Sequence, residues 1–160
     1  MNLLSLLLSL LLLAFGLIAS VIDIKTKTIP NKLVLLMLSA WLVVMIPMVI
    51  FRTSEATVLL KDSALGFALA GGLFLLVYII SKKGLGGGDV KFMAVCGLYL
   101  GLYYVVPVIF IGSILAGLTG LTMLLLKKMK RKDTLPLAPF LYVGILLTIS
   151  LTWFNRGYIS

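Results

Sequence analysis

The hydrophobic residues of this chain form long runs that are separated by short polar stretches. Runs of about 17–25 apolar residues are long enough to cross the hydrocarbon core of a bilayer as helices. Six runs predict six transmembrane helices, at residues 3–22, 33–51, 64–80, 92–106, 107–126 and 135–154. The fourth run is short and meets the fifth at Pro107. The pattern therefore predicts an all-α, polytopic membrane protein.

Composition agrees with this pattern and leaves little chain outside the bilayer. Hydrophobic residues make up 62% of the 160 residues and the mean hydropathy is +1.22, whereas soluble domains are about 45–50% apolar. We therefore expect residues 1–160 to form a single integral-membrane domain.

The net charge of +9 is distributed unevenly along the chain. Most basic residues fall in the loops that follow the first, third and fifth predicted helices: Lys25, Lys27, Lys32, Lys82, Lys83, Lys91, Lys127, Lys128, Lys130, Arg131 and Lys132. Because cytoplasmic loops carry an excess of Lys and Arg, these loops are predicted to be cytoplasmic and both termini external. The charges are also suited to contact with anionic lipids. No stripe of aromatic residues accompanies them, so nucleic acid is not expected as a partner.

Two of the predicted loops differ in character. Residues 52–62 carry charges of both signs and are expected to be a solvated external connection. Residues 81–91 contain the glycine-rich sequence GLGGGDVK on the cytoplasmic side. Since glycine allows positive φ angles and close backbone approach, this loop can fold tightly against a substrate.

The residue types that are absent limit the possible chemistry. The chain has no histidine, which excludes Ser-His-Asp and Cys-His catalysis and HExxH metal sites. The single cysteine, Cys96, lies in an apolar run and cannot form an intrachain disulfide or a CxxC zinc site. We expect neither a metal nor another cofactor. Carboxylates, Lys, Arg, Tyr and hydroxyl groups remain for catalysis.

Two of the five acidic residues lie at the edges of predicted membrane helices on the cytoplasmic side, namely Asp23 and Asp89. Ionisable groups at such positions are costly to desolvate and are functional candidates by default. Two carboxylates that share a site of low dielectric do not easily both ionise, so one holds a proton. Together they provide an acid and a base around one water, which is the arrangement of aspartyl-type hydrolysis.

Structural roles remain open for each aspartate taken singly. Asp23 could pair with Lys25 or Lys27 at a helix end, and Asp89 could cap the fourth helix. A phosphate loop is disfavoured, because no Ser or Thr follows Lys91 and Asp89 would repel a phosphate.

Three segments carry a resemblance to a known family. VIDIKTKTIPNKL, GLGGGDVKFMAVCGLYLG and LPLAPFLYVG resemble, in order and spacing, the signature blocks of the type IV prepilin peptidases, which are GxGD-type membrane aspartyl proteases. The second block contains a Gly-x-Gly-Asp-x-Lys element at residues 86–91, and the third a Pro-x-x-Pro-Phe element at residues 136–140.

The resemblance implies that Asp23 and Asp89 are the catalytic aspartates. Gly86, Gly88 and Lys91 are then candidates for substrate binding. The implied substrates are prepilin or pseudopilin precursors, cleaved at the cytoplasmic border between a basic leader and an apolar helix. The implied location is the inner (plasma) membrane, with the active site facing the cytoplasm.

The chain departs from many family members in lacking a larger N-terminal region with paired cysteines. We therefore expect a peptidase-only form without S-adenosylmethionine chemistry. Two other functions remain open. One is a preflagellin-type peptidase with the same mechanism, and the other is a non-catalytic membrane assembly protein or a small transporter. A transporter would be expected to place its carboxylates near the bilayer midplane.

Overall fold

The computed structural model describes residues 3–51, 53–81, 84–128 and 135–158. Within these ranges every regular element is a helix. The helices are α1 Leu3–Thr26, α2 Asn31–Phe51, α3 Thr53–Ile80, α4 Gly87–Leu125 and α5 Ala138–Tyr158. The predicted all-α class is thus confirmed for the described part of the chain. Six of the basic residues in the predicted loops lie outside these ranges: Arg52, Lys82, Lys83, Lys130, Arg131 and Lys132.

The helices have the length and composition of membrane spans. α1, α2, α4 and residues Ala56–Ile80 of α3 are each long and apolar enough to cross a bilayer, and Ala138–Phe154 is a shorter apolar helix. Large apolar side chains also cover the outward surfaces, as at Leu35, Ile79 and Phe110. Helices that are apolar on every face are typical of a lipid environment. The chain is therefore a multi-pass membrane protein.

The connection between α1 and α2 is short and tightly folded. Lys27 has a positive φ of 53°, and its N–H donates to the Asp23 carbonyl oxygen at 2.7 Å. Pro30 then precedes the first residue of α2, where its fixed φ and missing N–H are well tolerated. Ile29 between them is buried. This turn therefore packs the Ile29 side chain into the core of the bundle.

The packing of α3 against the first part of α4 is the closest in the molecule. A Cβ on Gly66 would clash with the Gly97 carbonyl oxygen, and a Cβ on Gly71 would lie 2.9 Å from the Cβ of Ala94. Such small residues let two helix backbones approach closely in a membrane. The later residue of α3, Gly71, lies against the earlier residue of α4, Ala94, so the two helices are antiparallel.

α4 contains a break that divides it into residues 87–100 and 102–125. The break lies at Gly101, which has φ 70° and ψ 179°. The predicted boundary at Pro107 is therefore wrong, because Pro107 lies inside the second half of the helix. Proline there removes one backbone hydrogen bond, which transmembrane helices tolerate. The positive φ at Gly101, by contrast, belongs to a region that side chains rarely adopt.

The chain reverses direction at this break. Gly112 lies against Leu141 near the start of α5, and Val108 lies against Gly144 further along α5. The second half of α4 is thus antiparallel to α5. Since α5 begins beside Asp23 at the end of α1, residues 102–125 run back toward the end of the bundle at which α4 begins.

The predicted external loop at residues 52–62 is also corrected, because α3 begins at Thr53. Ala56 is buried, and Leu59 and Leu60 are half-buried. This spacing of three and four residues places one apolar face against the bundle, which favours a helix despite the mixed charges.

Candidate active site

Asp23 lies near the end of α1 and is only 2% exposed. Its Oδ2 accepts a hydrogen bond of 2.9 Å from the N–H of Ala138, the first residue of α5. The first backbone N–H groups of a helix have no partner inside the helix, and they carry the positive end of its dipole. The start of α5 therefore satisfies and stabilises a buried carboxylate.

The N–H of Ala138 is available because this residue begins α5, where an N–H has no acceptor inside the helix. Pro136 and Pro139 have no N–H, and the N–H groups of Phe140 and Leu141 both donate to the Leu137 carbonyl. The hydroxyl of Ser20, one turn before Asp23, is shared between the Gly16 carbonyl oxygen at 2.7 Å and the Ala138 carbonyl oxygen at 3.2 Å. α1 thus holds both the N–H and the C=O of one residue at the start of α5.

Asp89 lies in the first turn of α4, and its own helix start binds it. The Gly86 N–H donates to the Asp89 Oδ2 at 3.2 Å, and the Asp89 N–H donates to the Gly86 carbonyl at 3.1 Å. The bond to the Gly86 N–H is the half of a capping box that the third helix residue supplies; Gly86 has no side chain for the other half. The other oxygen, Oδ1, is inaccessible and has no hydrogen-bond partner among the described residues.

Gly88 brings the start of α4 against the turn between α1 and α2. A Cβ on Gly88 would lie 2.7 Å from the Ile29 carbonyl oxygen and 3.1 Å from the Ile29 nitrogen. Any larger residue would push the two backbones apart, because neither backbone atom can rotate away. Gly87, its neighbour, has open space at the same point.

These contacts bring the two sequence-predicted aspartates together. Asp23 precedes the turn that Gly88 contacts, and Asp89 follows Gly88 directly. The charge of Asp23 acts on the Asp89 carboxylate, so the groups lie within electrostatic range of each other. Two carboxylates far apart in the sequence thus occupy one end of the bundle.

Lys91 lies beside this pair, on the exposed side of α4. Its Nζ donates to the Asn31 Oδ1 at 3.0 Å, so it links α4 to the first residue of α2. Gly86, Gly88 and Lys91 therefore all have contacts within the protein. Their role in substrate binding stays a prediction.

An apolar groove of about 430 Å³ runs beside this part of α4. Its walls come from α2, α3 and α4, and they include Val34, Phe67, Gly72 and Val90. The groove offers space for an apolar segment next to the first turn of α4. Among the described residues, no group of three or more His, Cys, Asp or Glu side chains is placed to hold a metal ion; the expectation of no metal or cofactor stays a prediction.

Sequence reasoning missed three contributors to the site: Ser20, Ile29 and the Ala138 N–H. Ser20 was one of several serines in an apolar run, and it carries no distinguishing signal of its own. Ile29 and Ala138 act through backbone atoms, which their side chains do not reveal. The Pro-x-x-Pro-Phe element was visible. The hydrogen bond from the N–H of Ala138, inside this element, to Asp23 depends on the tertiary contact.

Comparison with known proteins decides the family. Residues 10–121 match the type IV leader peptidase family. This chain belongs to the type IV leader peptidase family. The match covers most of α1, all of α2 and α3, and most of α4, and so includes both Asp23 and Asp89.

Curated members of the type IV leader peptidase family are similar over most of this chain. A prepilin leader peptidase/N-methyltransferase of Pectobacterium carotovorum subsp. carotovorum is 34% identical, with 92% of this chain and 52% of the relative covered. Proteins of the same name from Bacillus subtilis (strain 168) and Escherichia coli (strain K12) are 31% and 28% identical; the alignments cover 81% and 91% of this chain and 50% and 60% of those relatives. The chain thus spans about half the length of these relatives. No solved structure matches it.

Proposed function

We propose that this chain is a membrane aspartyl endopeptidase that cleaves the basic leader from prepilin-like or pseudopilin precursors. The observation that carries the proposal is the meeting of Asp23 and Asp89 at one end of the bundle, with Asp23 held by a helix start. Membership of the type IV leader peptidase family and the names of the curated relatives support the choice of substrate.

We assign different roles to the two carboxylates. The positive end of the α5 dipole and the Ala138 N–H favour a charged Asp23. Burial disfavours a charge on Asp89, and the charge on Asp23 disfavours it further. An inaccessible oxygen without a partner, such as Asp89 Oδ1, is also costly unless it carries a proton or binds water. Asp23 is therefore the base and Asp89 the acid.

The reaction then follows from these protonation states. Asp23 takes a proton from a water molecule as the water oxygen bonds to the scissile carbonyl carbon, and Asp89 gives its proton to the carbonyl oxygen. The tetrahedral diol collapses when its C–N bond breaks. Asp23 passes its proton to the leaving amine, and Asp89 regains one from the diol hydroxyl. Both carboxyl groups return to their starting states.

We further propose a topology of six spans with both termini external and the aspartates facing the cytoplasm. The reversal of α4 at Gly101 supports the count, because residues 87–100 and 102–125 run in opposite directions. Lys25, Lys27 and Lys91 lie at the end of the bundle that holds the two aspartates, as the positive-inside rule requires of a cytoplasmic face. The family supports an inner-membrane location.

The test is cleavage of a purified model prepilin in proteoliposomes by wild type, Asp23→Asn and Asp89→Asn. Asp133→Asn is the matched control, since it makes the same chemical change directly after the basic stretch at residues 127–132. We expect wild type and the control to cut at the leader border, as N-terminal sequencing of the product would show. Each active-site variant should lose activity by a factor of about 10³, within the range of general acid–base catalysis.

Two results would contradict the proposal. Cleavage by both active-site variants at the wild-type rate would remove the aspartates from the mechanism. If wild type, inserted and folded, cuts no pilin-like precursor, the assembly or transporter function is favoured.

A further inference from the structure

The break in α4 separates two backbone groups that a continuous helix would join. In an α-helix the N–H of Leu102 would donate to the carbonyl oxygen of Leu98. At the break the Leu102 N–H donates instead to the Asp62 Oδ1 at 3.1 Å. The Leu98 carbonyl accepts from the indole Nε1 of Trp41, also at 3.1 Å. Both ends of the interrupted hydrogen bond therefore have a side-chain partner, one from α3 and one from α2.

Such partners are needed because the break lies at membrane depth. Residues 87–100 extend roughly 21 Å at 1.5 Å per residue, which is shorter than the hydrocarbon core of about 30 Å. Non-helical backbone at that depth is tolerated only where protein or a wet cavity satisfies it. Gly101 is buried and Trp41 is 6% exposed. Asp62 also lines a cavity of about 210 Å³ whose polar groups include Ser63 and Thr148.

The Asp62 carboxylate occupies the space that a side chain at position 101 would need. A Cβ on residue 101 would clash with the Asp62 carboxylate. The glycine is thus required twice, once for its positive φ and once for the space that the carboxylate occupies. Tyr99, within the same turn, donates to the Met37 carbonyl oxygen at 2.7 Å, which ties this end of the half-helix to α2 a second time.

The half-helix at residues 87–100 connects these contacts to Asp89. Asp62 lies one turn from Gly66, and Gly101 lies one turn from Gly97. The contact of Asp62 with Gly101 therefore continues the glycine contacts between α3 and α4. At the other end, Gly88 lies so close to Ile29 that an added Cβ would be 2.7 Å from the Ile29 carbonyl oxygen. A change in the tilt of this short helix at one end would move Asp89 at the other.

We propose that Asp62 and Trp41 are positioning residues, which cap the two sides of the α4 break and so fix the half-helix that carries Asp89. The inference rests on the proposed peptidase function. Without Asp62, the Leu102 N–H loses its acceptor at membrane depth. The end of the half-helix then shifts together with the Leu98 carbonyl that binds the Trp41 indole. The resulting tilt moves Asp89 out of its reactive arrangement with Asp23.

The proposal requires a hydrogen-bond acceptor at position 62 and not a charge. Asp62→Asn keeps an acceptor oxygen of the same size and is the matched control for Asp62→Ala, which removes it. Trp41→Phe keeps the ring packing and removes only the N–H, and it provides the test from the other side of the break if Asp62→Ala is not recovered folded. All variants are made in a Trp153→Phe background, since the chain has only two tryptophans and Trp41 then reports alone.

The parameters kcat and KM for model prepilin are measured on each folded, reconstituted variant, and the emission maximum of Trp41 on each variant that keeps this residue. For Asp62→Ala we expect kcat to fall at least about tenfold with KM within about twofold, because small displacements of reacting groups are costly. Its Trp41 emission should shift. Trp41→Phe should lower kcat in the same direction, and Asp62→Asn should keep kcat within about threefold and leave the emission unchanged.

Three results would overturn the proposal. They are an Asp62→Asn variant as impaired as Asp62→Ala, an Asp62→Ala variant with wild-type kcat, and unchanged Trp41 emission in Asp62→Ala. A residue needed for folding alone would lower the yield and leave kcat per folded molecule intact. Should wild type itself cleave nothing, the peptidase function fails, and the Trp41 emission still decides whether the two caps exist.

Discussion

At each end of this bundle an aspartate binds the start of another helical segment, but the surroundings of the two aspartates differ. Asp23 and Asp62 each accept a hydrogen bond from a backbone N–H at the start of a helix that lies elsewhere in the fold. At the first end a second carboxylate, Asp89, lies within electrostatic range. At the other end Asp62 has hydroxyl groups and glycine around it. An aspartate that caps a helix start is thus no sign of catalysis by itself; the proposed catalytic role rests on the pairing of two carboxylates.

The ends also differ in what their glycines do. Gly88 lets two backbones approach so that Asp89 reaches Asp23, whereas Gly101 adopts a backbone conformation that ends one helical segment and begins another. Substitutions at these positions should therefore change different quantities. At the first, activity should respond directly. At the second, stability should respond, and activity should change only through the half-helix that carries Asp89.

The largest effect is expected for Gly88→Ala. The added Cβ would lie 2.7 Å from the Ile29 carbonyl oxygen, so the start of α4 must shift and carry Asp89 with it. We expect the cleavage rate to fall about 100-fold, as misplacement of about 1 Å does elsewhere. Gly87→Ala, whose Cβ meets nothing within 4 Å, is the control and should stay within about twofold. Equal rates for the two variants would show that the close approach is not needed.

A smaller, mainly structural effect is expected for Gly101→Ala. A left-handed conformation costs an alanine about 1–2 kcal/mol, and the clash with Asp62 adds to this. Thermal unfolding in detergent should therefore show a loss of at least about 2 kcal/mol. Gly117→Ala, in the same α4 and with open space at its Cβ, should be neutral or stabilising by up to about 1 kcal/mol. A Gly101→Ala variant as stable as Gly117→Ala would contradict the observed break.

The smallest effect is expected for Ser20→Ala. This change removes the hydrogen bond to the Ala138 carbonyl at the active-site end, and a buried bond of this kind contributes about 0.5–1.5 kcal/mol. We expect that loss of stability together with a fewfold fall in cleavage rate, since the start of α5 also holds Asp23. Ser39→Ala removes an exposed hydrogen bond to Leu36 and should change stability by less than about 0.5 kcal/mol. A larger loss in Ser39→Ala than in Ser20→Ala would refute the distinction.

Much of the fold was predictable because hydrophobic length is a local property. The apolar runs placed α1 and α2 to within a few residues. The glycine-rich sequence was predicted as a loop up to residue 91, whereas α4 already begins within it, at Gly87. The error at residues 52–62 arose because charged residues were taken as evidence for a loop, whereas the apolar spacing of Ala56, Leu59 and Leu60 favours a helix. The error at Pro107 arose because proline is a strong local signal for a helix boundary, although a membrane helix can absorb it.

In the candidate site, too, some features could be predicted from the sequence and others could not. Asp23 and Asp89 were visible because carboxylates are rare in this chain, and because the segments around them resemble a known family. The support for Asp23 was not visible, since it comes from the backbone N–H of Ala138. Backbone groups are the same at every residue, and only packing selects one of them.

The sequence by itself determined that this is a helical membrane protein of the type IV leader peptidase family, and it marked the two aspartates for one side of the membrane. Hydrophobicity, charge and residue type act locally, and for that reason they can be read along the chain. Only the tertiary structure decided that the start of α5 stabilises Asp23, that Gly88 brings Asp89 to it, and that α4 breaks at Gly101. Each of these depends on a partner that is distant in the sequence, and a hydrogen bond or a close contact exists only once both partners are in place.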